Sequence, residues 1–169
     1  MEIIGKSPIA VPVLILGKIA MLGCWLFFVV KKLSADAMLY DSAVTQAIGV
    51  AVSVAGLFVV VLSLLHLGGS ASVGIPEQKT ELKTHGMYRI SRNPVYVGGF
   101  LMCAGSCLFS IHLLNFLLFA ITIAVHHMIV TKEEQFLEKT FGQQWLDLKE
   151  RVPRYVGRIR SPNTVRNSA

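Results

Sequence analysis

Charge is what this chain has least of: only 15% of its residues are charged, against 53% that are hydrophobic. With a mean hydropathy of +0.59, that scarcity excludes an ordinary soluble domain of this length. Cysteine is also sparse. Cys24, Cys103 and Cys107 all fall inside apolar runs without CxxC spacing, so they read as small packing residues and leave the redox compartment open. The five histidines include no HxxxH pair, which argues against a di-iron oxygenase site, and no metal site is expected. No basic-aromatic groove is visible, so the net charge of +6 suits anionic headgroups better than nucleic acid. Internal repeats are absent, and the only biased tract is a polar tail from Ser161 to Ala169, expected to fray.

What is present is long apolar sequence. Ile9 to Val30, Ala43 to Leu67 and Val95 to Val130 each exceed the length of about 18 residues needed to cross hydrocarbon. The first run is read as a span and not as a cleaved leader. It is too long for a signal core, Lys18 interrupts it, and Glu2 and Lys6 stand where a basic patch would be. Lys18 costs about 2.5 to 3.5 kcal/mol if central in the bilayer, and snorkelling to the interface is its simplest account.

The run from Val95 to Val130 would extend about 54 Å as one straight helix, against roughly 30 Å of hydrocarbon. It fits a compact hairpin of two short helices, about 95–110 and 113–130, turning near Ser110-Ile111-His112 or Asn115. A hairpin places thirteen Lys and Arg on one side and two, Lys31 and Lys32, on the other, and the positive-inside rule makes the richer side cytoplasmic. After Val130, Leu137, Phe141, Trp145, Leu148 and Val152 recur at helical spacing, which predicts an amphipathic interfacial helix over about 132–150. The expected fold is therefore all-α. It is a single membrane domain, 1–169, with about four transmembrane helices (9–30, 43–67 and the hairpin) plus the interfacial helix.

The hairpin has a geometric consequence. Antiparallel helices packed about 8 to 10 Å apart bring the entrance, Arg89 to Gly99, beside the exit, His126 to Glu134. At the entrance, Pro94 suits a first helical turn, and Asn93 before it is placed to cap that turn, where free N–H groups attract anions. Gly86, Gly98 and Gly99 would permit close approach, and Tyr88 and Tyr96 could stack on a planar ring. The plainer account makes Arg89 and Arg92 lipid-phosphate anchors, Tyr96 a belt aromatic and the glycines packing residues. At the exit, Glu133 and Glu134 point about 100° apart on a helix, so one is expected to meet a ligand and the other to orient Arg92 or Arg89. The plainer account is a solvated acidic turn. His66 and His112, at segment ends, read as interfacial.

Taken together, Leu82-x-Thr84-x-Gly86-x-Tyr88-x-x-x-Arg92-Asn93-Pro94-x-Tyr96-x-Gly98 and Glu133-Glu134-x-x-Leu137-x-x-x-Phe141-Gly142 resemble the isoprenylcysteine carboxyl methyltransferase and phospholipid N-methyltransferase superfamily. The resemblance covers roughly Glu81 to Tyr155. It implies a small helical membrane enzyme using S-adenosylmethionine at the cytoplasmic face of the bacterial inner membrane or endoplasmic reticulum, and acting on a lipid-like or lipidated small acceptor. Arg92, Pro94, Tyr96 and Gly98 would then form one wall of the cofactor site, with Gly86, Tyr88, Asn93 and His127 beside it. Glu133 and Glu134 would bind the cofactor's amino end or brace that wall, and Arg92, Glu133 and Glu134 would be catalytic. Many members have His where this chain has Asn93 and Pro where it has Met87; the first departure removes a titrating group but keeps hydrogen-bonding capacity. Two other readings stand beside it: an NADPH-dependent membrane reductase of the sterol reductase type, and a non-catalytic membrane subunit whose arginines grip headgroups.

Overall fold

A computed structural model of the chain describes residues 10–31, 38–67 and 82–157; the polar tail from Ser161 lies outside the described residues. Four apolar helices and one short amphipathic helix account for almost all of it. Helix α1, Val11–Val30, carries Pro12 in its first turn, where a missing N–H leaves no bond unmade. Helix α2 is Ala43–Leu67. A 3-10 turn, Gly86–Arg89, leads through Ser91 to α3, Pro94–Phe109, which opens on its proline. Helix α4 is Leu113–Phe141 and α5 is Gln143–Arg151.

Helices α1, α2 and α4 are each long and apolar enough to cross a membrane, and α3 is a shorter apolar partner. The hairpin turns at Ser110-Ile111-His112, where the Leu39 N–H donates to the Ile111 carbonyl at 2.8 Å. Nδ1 of His112 caps α4 by accepting from the Leu114 N–H at 3.1 Å. Asn115, the alternative turning point, is buried within α4.

Small residues set how the helices pair. Gly56 lies against Gly98, where a Cβ would stand 2.7 Å from the Gly56 carbonyl oxygen and 2.6 Å from Cγ2 of Val60. Gly49 likewise lies against Gly105, so α2 and α3 run antiparallel at close range. On the other side Gly17 meets Val125 and Gly23 meets Leu118, which makes α1 antiparallel to α4. Where α1, α3 and α4 meet, the Ser106 hydroxyl donates to the Cys24 carbonyl. The Asn115 amide donates to Ser106 Oγ at 3.1 Å and to the Ser110 carbonyl at 3.3 Å. Such bonds hold helices together where apolar contact alone gives no preference over lipid.

The region after Val130 differs from the sequence expectation. The helix continues unbroken through Lys132-Glu133-Glu134 to Phe141, because a change to polar side chains is no interruption of backbone hydrogen bonding. The break comes at Gly142, with φ of +51°, a conformation glycine reaches at little cost. The amphipathic stripe is thereby folded back on itself across two helices. Trp145, Leu148 and Val152 are buried, with Leu82, Leu137 and Phe141 packed around them. Trp145, Leu148 and Val152 are thus covered by protein and Leu137 and Phe141 half-buried, where the sequence suggested a face resting on the bilayer.

Candidate active site

The folded-back segment delivers a strap, Pro153 to Tyr155, onto the entrance of α3. The Arg92 N–H donates to the Pro153 carbonyl at 3.0 Å. The Ser91 hydroxyl and the Asn93 amide both donate to the Arg154 carbonyl, at 3.1 and 3.2 Å. Asn93 does not cap α3 with its side chain. Its amide N–H groups are spent on the strap and on Glu134 Oε1, at 3.3 Å, and its backbone N–H goes to Ser91 Oγ at 3.1 Å.

Glu134 is the hub of this arrangement. One oxygen, Oε2, accepts from Arg154 Nε at 3.1 Å and Nη2 at 2.8 Å. The other, Oε1, lies 3.4 Å from Nη1 of Arg92. The side chains of Glu134 and Arg92 are 5% and 7% exposed, so a carboxylate is held between two guanidinium groups in a nearly dry setting, where paired charges interact strongly and a lone one is costly. Of the two adjacent glutamates, Glu134 is the one that meets Arg92; Arg89 is exposed.

The two arginines are not equivalent. Arg154, with two hydrogen bonds to Glu134, is held above the ordinary guanidinium pKa. Arg92 is pushed below it, first by burial and then by the neighbouring Arg154, against the pull of Glu134. The Arg92 guanidinium stacks over the Trp145 ring, 5.3 Å from its centroid. Its Nε is buried without a hydrogen-bond partner, and its Nη1, though ion-paired with Glu134 at 3.4 Å, makes no hydrogen bond. The Nε–H is thus a buried donor without an acceptor beside an ion pair already made.

Glu133 faces elsewhere. Both of its oxygens accept from the Tyr96 hydroxyl, at 3.0 and 3.2 Å. Tyr96 in turn packs against His126, ring centroids 5.8 Å apart. Tyr88 of the 3-10 turn is close enough to feel the Glu133 charge, which together with burial, the larger cause, raises its phenol to about 12. Lys18, exposed on α1, acts electrostatically on Glu133 and His126 alike.

Of the residues expected at a site, Tyr88, Arg92, Asn93, Pro94, Tyr96, Glu133 and Glu134 are therefore brought together at one end of the bundle. Three are placed differently. Gly98 faces α2, where it allows close helix packing. Gly86, with φ of +59°, lies under the His66 ring and makes the bend of the 3-10 turn possible. His127 is exposed and its Nδ1 is 3.1 Å from the Tyr155 hydroxyl; its neighbour His126 is the one turned inward, with Nδ1 2.8 Å from the Thr122 carbonyl oxygen. Sequence reasoning had His126 in the exit cluster and Trp145 in the amphipathic stripe without assigning either to the site, and it missed Arg154 and Tyr155. The inward turn of His126 has a visible signal, since it lies seven residues before Glu133 on one helical face. For Arg154 and Tyr155 nothing in the spacing marked them.

An all-helical membrane bundle with a buried cationic donor, a tyrosine–glutamate pair and a carboxylate brace at one end has the form of a small membrane enzyme. Residues 44–144 match the phospholipid methyltransferase family, and the chain belongs to that family, within the membrane methyltransferase superfamily that its two motifs resemble. No curated protein matches the chain. The matched region includes Arg92, Tyr96, Glu133 and Glu134; Lys18 and the strap lie outside it.

Proposed function

We propose that this membrane methyltransferase takes its methyl group from S-adenosylmethionine and passes it, at the cytoplasmic face, to a lipid-like or lipidated small acceptor. The observation that carries this reading is the Nε–H of Arg92, buried without an acceptor while Nη1 pairs with Glu134, at the entrance of α3. A guanidinium donates well to a carboxylate or a phosphate, and S-adenosylmethionine has a carboxylate. Its sulfonium supplies an activated methyl group when bound.

In this reading Arg92 grips the carboxylate while Glu134 and Trp145 hold Arg92 in place. Tyr96 keeps the Glu133 carboxylate oriented towards the cofactor's ammonium end or towards the acceptor. For a carboxylate or thiolate acceptor the chain need only align the partners and exclude water, since opposite charges are consumed in the transfer. For an amine acceptor a proton must leave before transfer. Glu134 is committed to two arginines and His127 to Tyr155, so Glu133 is the group placed to take it.

The test is to purify the protein in detergent, titrate S-adenosylmethionine, and follow a labelled methyl group into a lipid extract. Saturable binding and a labelled lipid product are expected. Saturable NADPH binding with no response to S-adenosylmethionine would overturn the reading in favour of a reductase. Unchanged cofactor binding in a well-folded Arg92→Ala variant would remove Arg92 from its assigned role.

A further inference from the structure

The Glu134 carboxylate lies between two arginines but does not divide itself equally. Its Oε2 accepts two hydrogen bonds from Arg154, from Nε at 3.1 Å and from Nη2 at 2.8 Å. Its Oε1 accepts from the Asn93 amide at 3.3 Å. Nη1 of Arg92 stands 3.4 Å from Oε1 and makes no hydrogen bond to it. Distance and alignment set the strength of a charge-assisted bond, so the carboxylate is bonded to Arg154 and meets Arg92 only as a neighbouring charge.

Arg154 is held in place for this from its backbone. Its carbonyl accepts from the Ser91 hydroxyl at 3.1 Å and from the Asn93 amide at 3.2 Å, and the preceding carbonyl, of Pro153, accepts from the Arg92 N–H at 3.0 Å. The strap is thus tied to three consecutive residues at the entrance of α3, and from that base the Arg154 side chain reaches Glu134 on α4. Without its guanidinium, Glu134 would be a carboxylate only 5% exposed that has lost its two shortest hydrogen bonds. A buried charge in that position needs a cation, and Nη1 of Arg92 already stands 3.4 Å away. A small rotation of the carboxylate closes that distance to the ~2.8 Å of an ionic hydrogen bond. A guanidinium closed on one carboxylate has less charge and fewer donors to offer a second.

We propose that Arg154 is a positioning residue for cofactor binding: it draws Glu134 away from Arg92, which leaves the Arg92 guanidinium able to hold a second carboxylate, that of S-adenosylmethionine. The identity of that ligand rests on the proposed function; the competition of two arginines for Glu134 does not. Arg154 lies beyond the segment that matches the family, residues 44–144, and touches no reacting group in this account. Its effect passes through Glu134.

The first test needs no ligand. Guanidinium N–H signals are recorded in a heteronuclear magnetic resonance spectrum of the protein in detergent micelles, and those of Arg92 are assigned by their loss in Arg92→Lys. In Arg154→Ala the Arg92 Nη–H signal moves downfield, as a proton entering a bond to a carboxylate does, and it returns when Glu134→Gln is added. An Arg92 signal that stays in place in Arg154→Ala overturns the proposal.

The second test titrates S-adenosylmethionine and its decarboxylated analogue. In Arg154→Ala the preference for the carboxylated ligand falls about tenfold, the worth of one hydrogen bond to a charged group, and adding Glu134→Gln restores most of it. A merely structural role for Arg154 predicts no such rescue. The gain from Glu134→Gln is larger without Arg154 than with it; equal gains in the two backgrounds would mean that the charges simply add, and would overturn the proposal. Arg154→Met, which keeps the aliphatic stem, carries the same expectations should Arg154→Ala fail to fold. If the wild-type protein has no affinity for S-adenosylmethionine, the proposed function fails, and the spectra still decide on Arg154.

Discussion

At the scale of single residues, Glu134 is the most consequential side chain of the candidate site. It is 4% exposed and stands between Arg92 and Arg154. Removing it leaves two guanidinium groups facing one another, and breaking a buried pair costs about 3 to 5 kcal/mol. Glu134→Ala should therefore lower the thermal unfolding midpoint in detergent sharply. Arg154→Ala should cost less, because its side chain is 33% exposed and can take water. Tyr96 plays a more local part. Tyr96→Phe removes one hydrogen bond to a carboxylate, worth about 1.5 to 3 kcal/mol. S-adenosylmethionine affinity should fall about tenfold and the unfolding midpoint by several degrees, as isothermal titration beside a melting curve would show. That Arg92 and the glutamates would meet at one end of the bundle was legible from the hairpin, which turns the exit of α4 back beside the entrance of α3. The division of labour between Glu133 and Glu134 was legible only as a 100° difference in direction. Which carboxylate faces Arg92 depends on the rotation of α4 against α1 and α3, and no local pattern sets that.

At the scale of elements, glycine positions decide which helices approach. Adjacent glycines on α3 make a direct comparison possible. A Cβ on Gly98 would meet the Gly56 carbonyl at 2.7 Å, and backbone cannot give way cheaply; on Gly99 it would meet only the Sδ of Met21, at 3.7 Å. Gly98→Ala should destabilise the protein by about 1 to 3 kcal/mol, the usual cost of overpacking. Gly99→Ala should be close to neutral, and thermal melts of the two variants would check both. The hairpin itself could be read from length, since one straight helix is too long for the bilayer and the apolar run has polar residues at its middle. The course of α4 could not, because the chain changes from lipid-facing to polar without a breaker until Gly142. The amphipathic stripe was visible for the same reason that its partner was not. Periodicity shows that a face is apolar, but Leu82, which helps to cover it, is distant in sequence.

At the scale of the whole molecule, two antiparallel helix pairs, α2 with α3 and α1 with α4, share a polar seam, and both sequence clusters end at the same mouth of the bundle. The strap after α5 then fixes the first cluster to the second through Arg154, so the site depends on chain segments separated by most of α3 and α4. The account rests on what Arg92 does at that mouth. The most direct measurement is a binding cycle with S-adenosylmethionine and its decarboxylated analogue, titrated into the wild-type protein and into Arg92→Gln. The account predicts that wild type favours the carboxylated ligand about tenfold or more, as expected for a charge-assisted pair, and that the variant loses the preference. Equal affinity of the wild-type protein for the two ligands, or a preference undiminished in a folded Arg92→Gln, would contradict it.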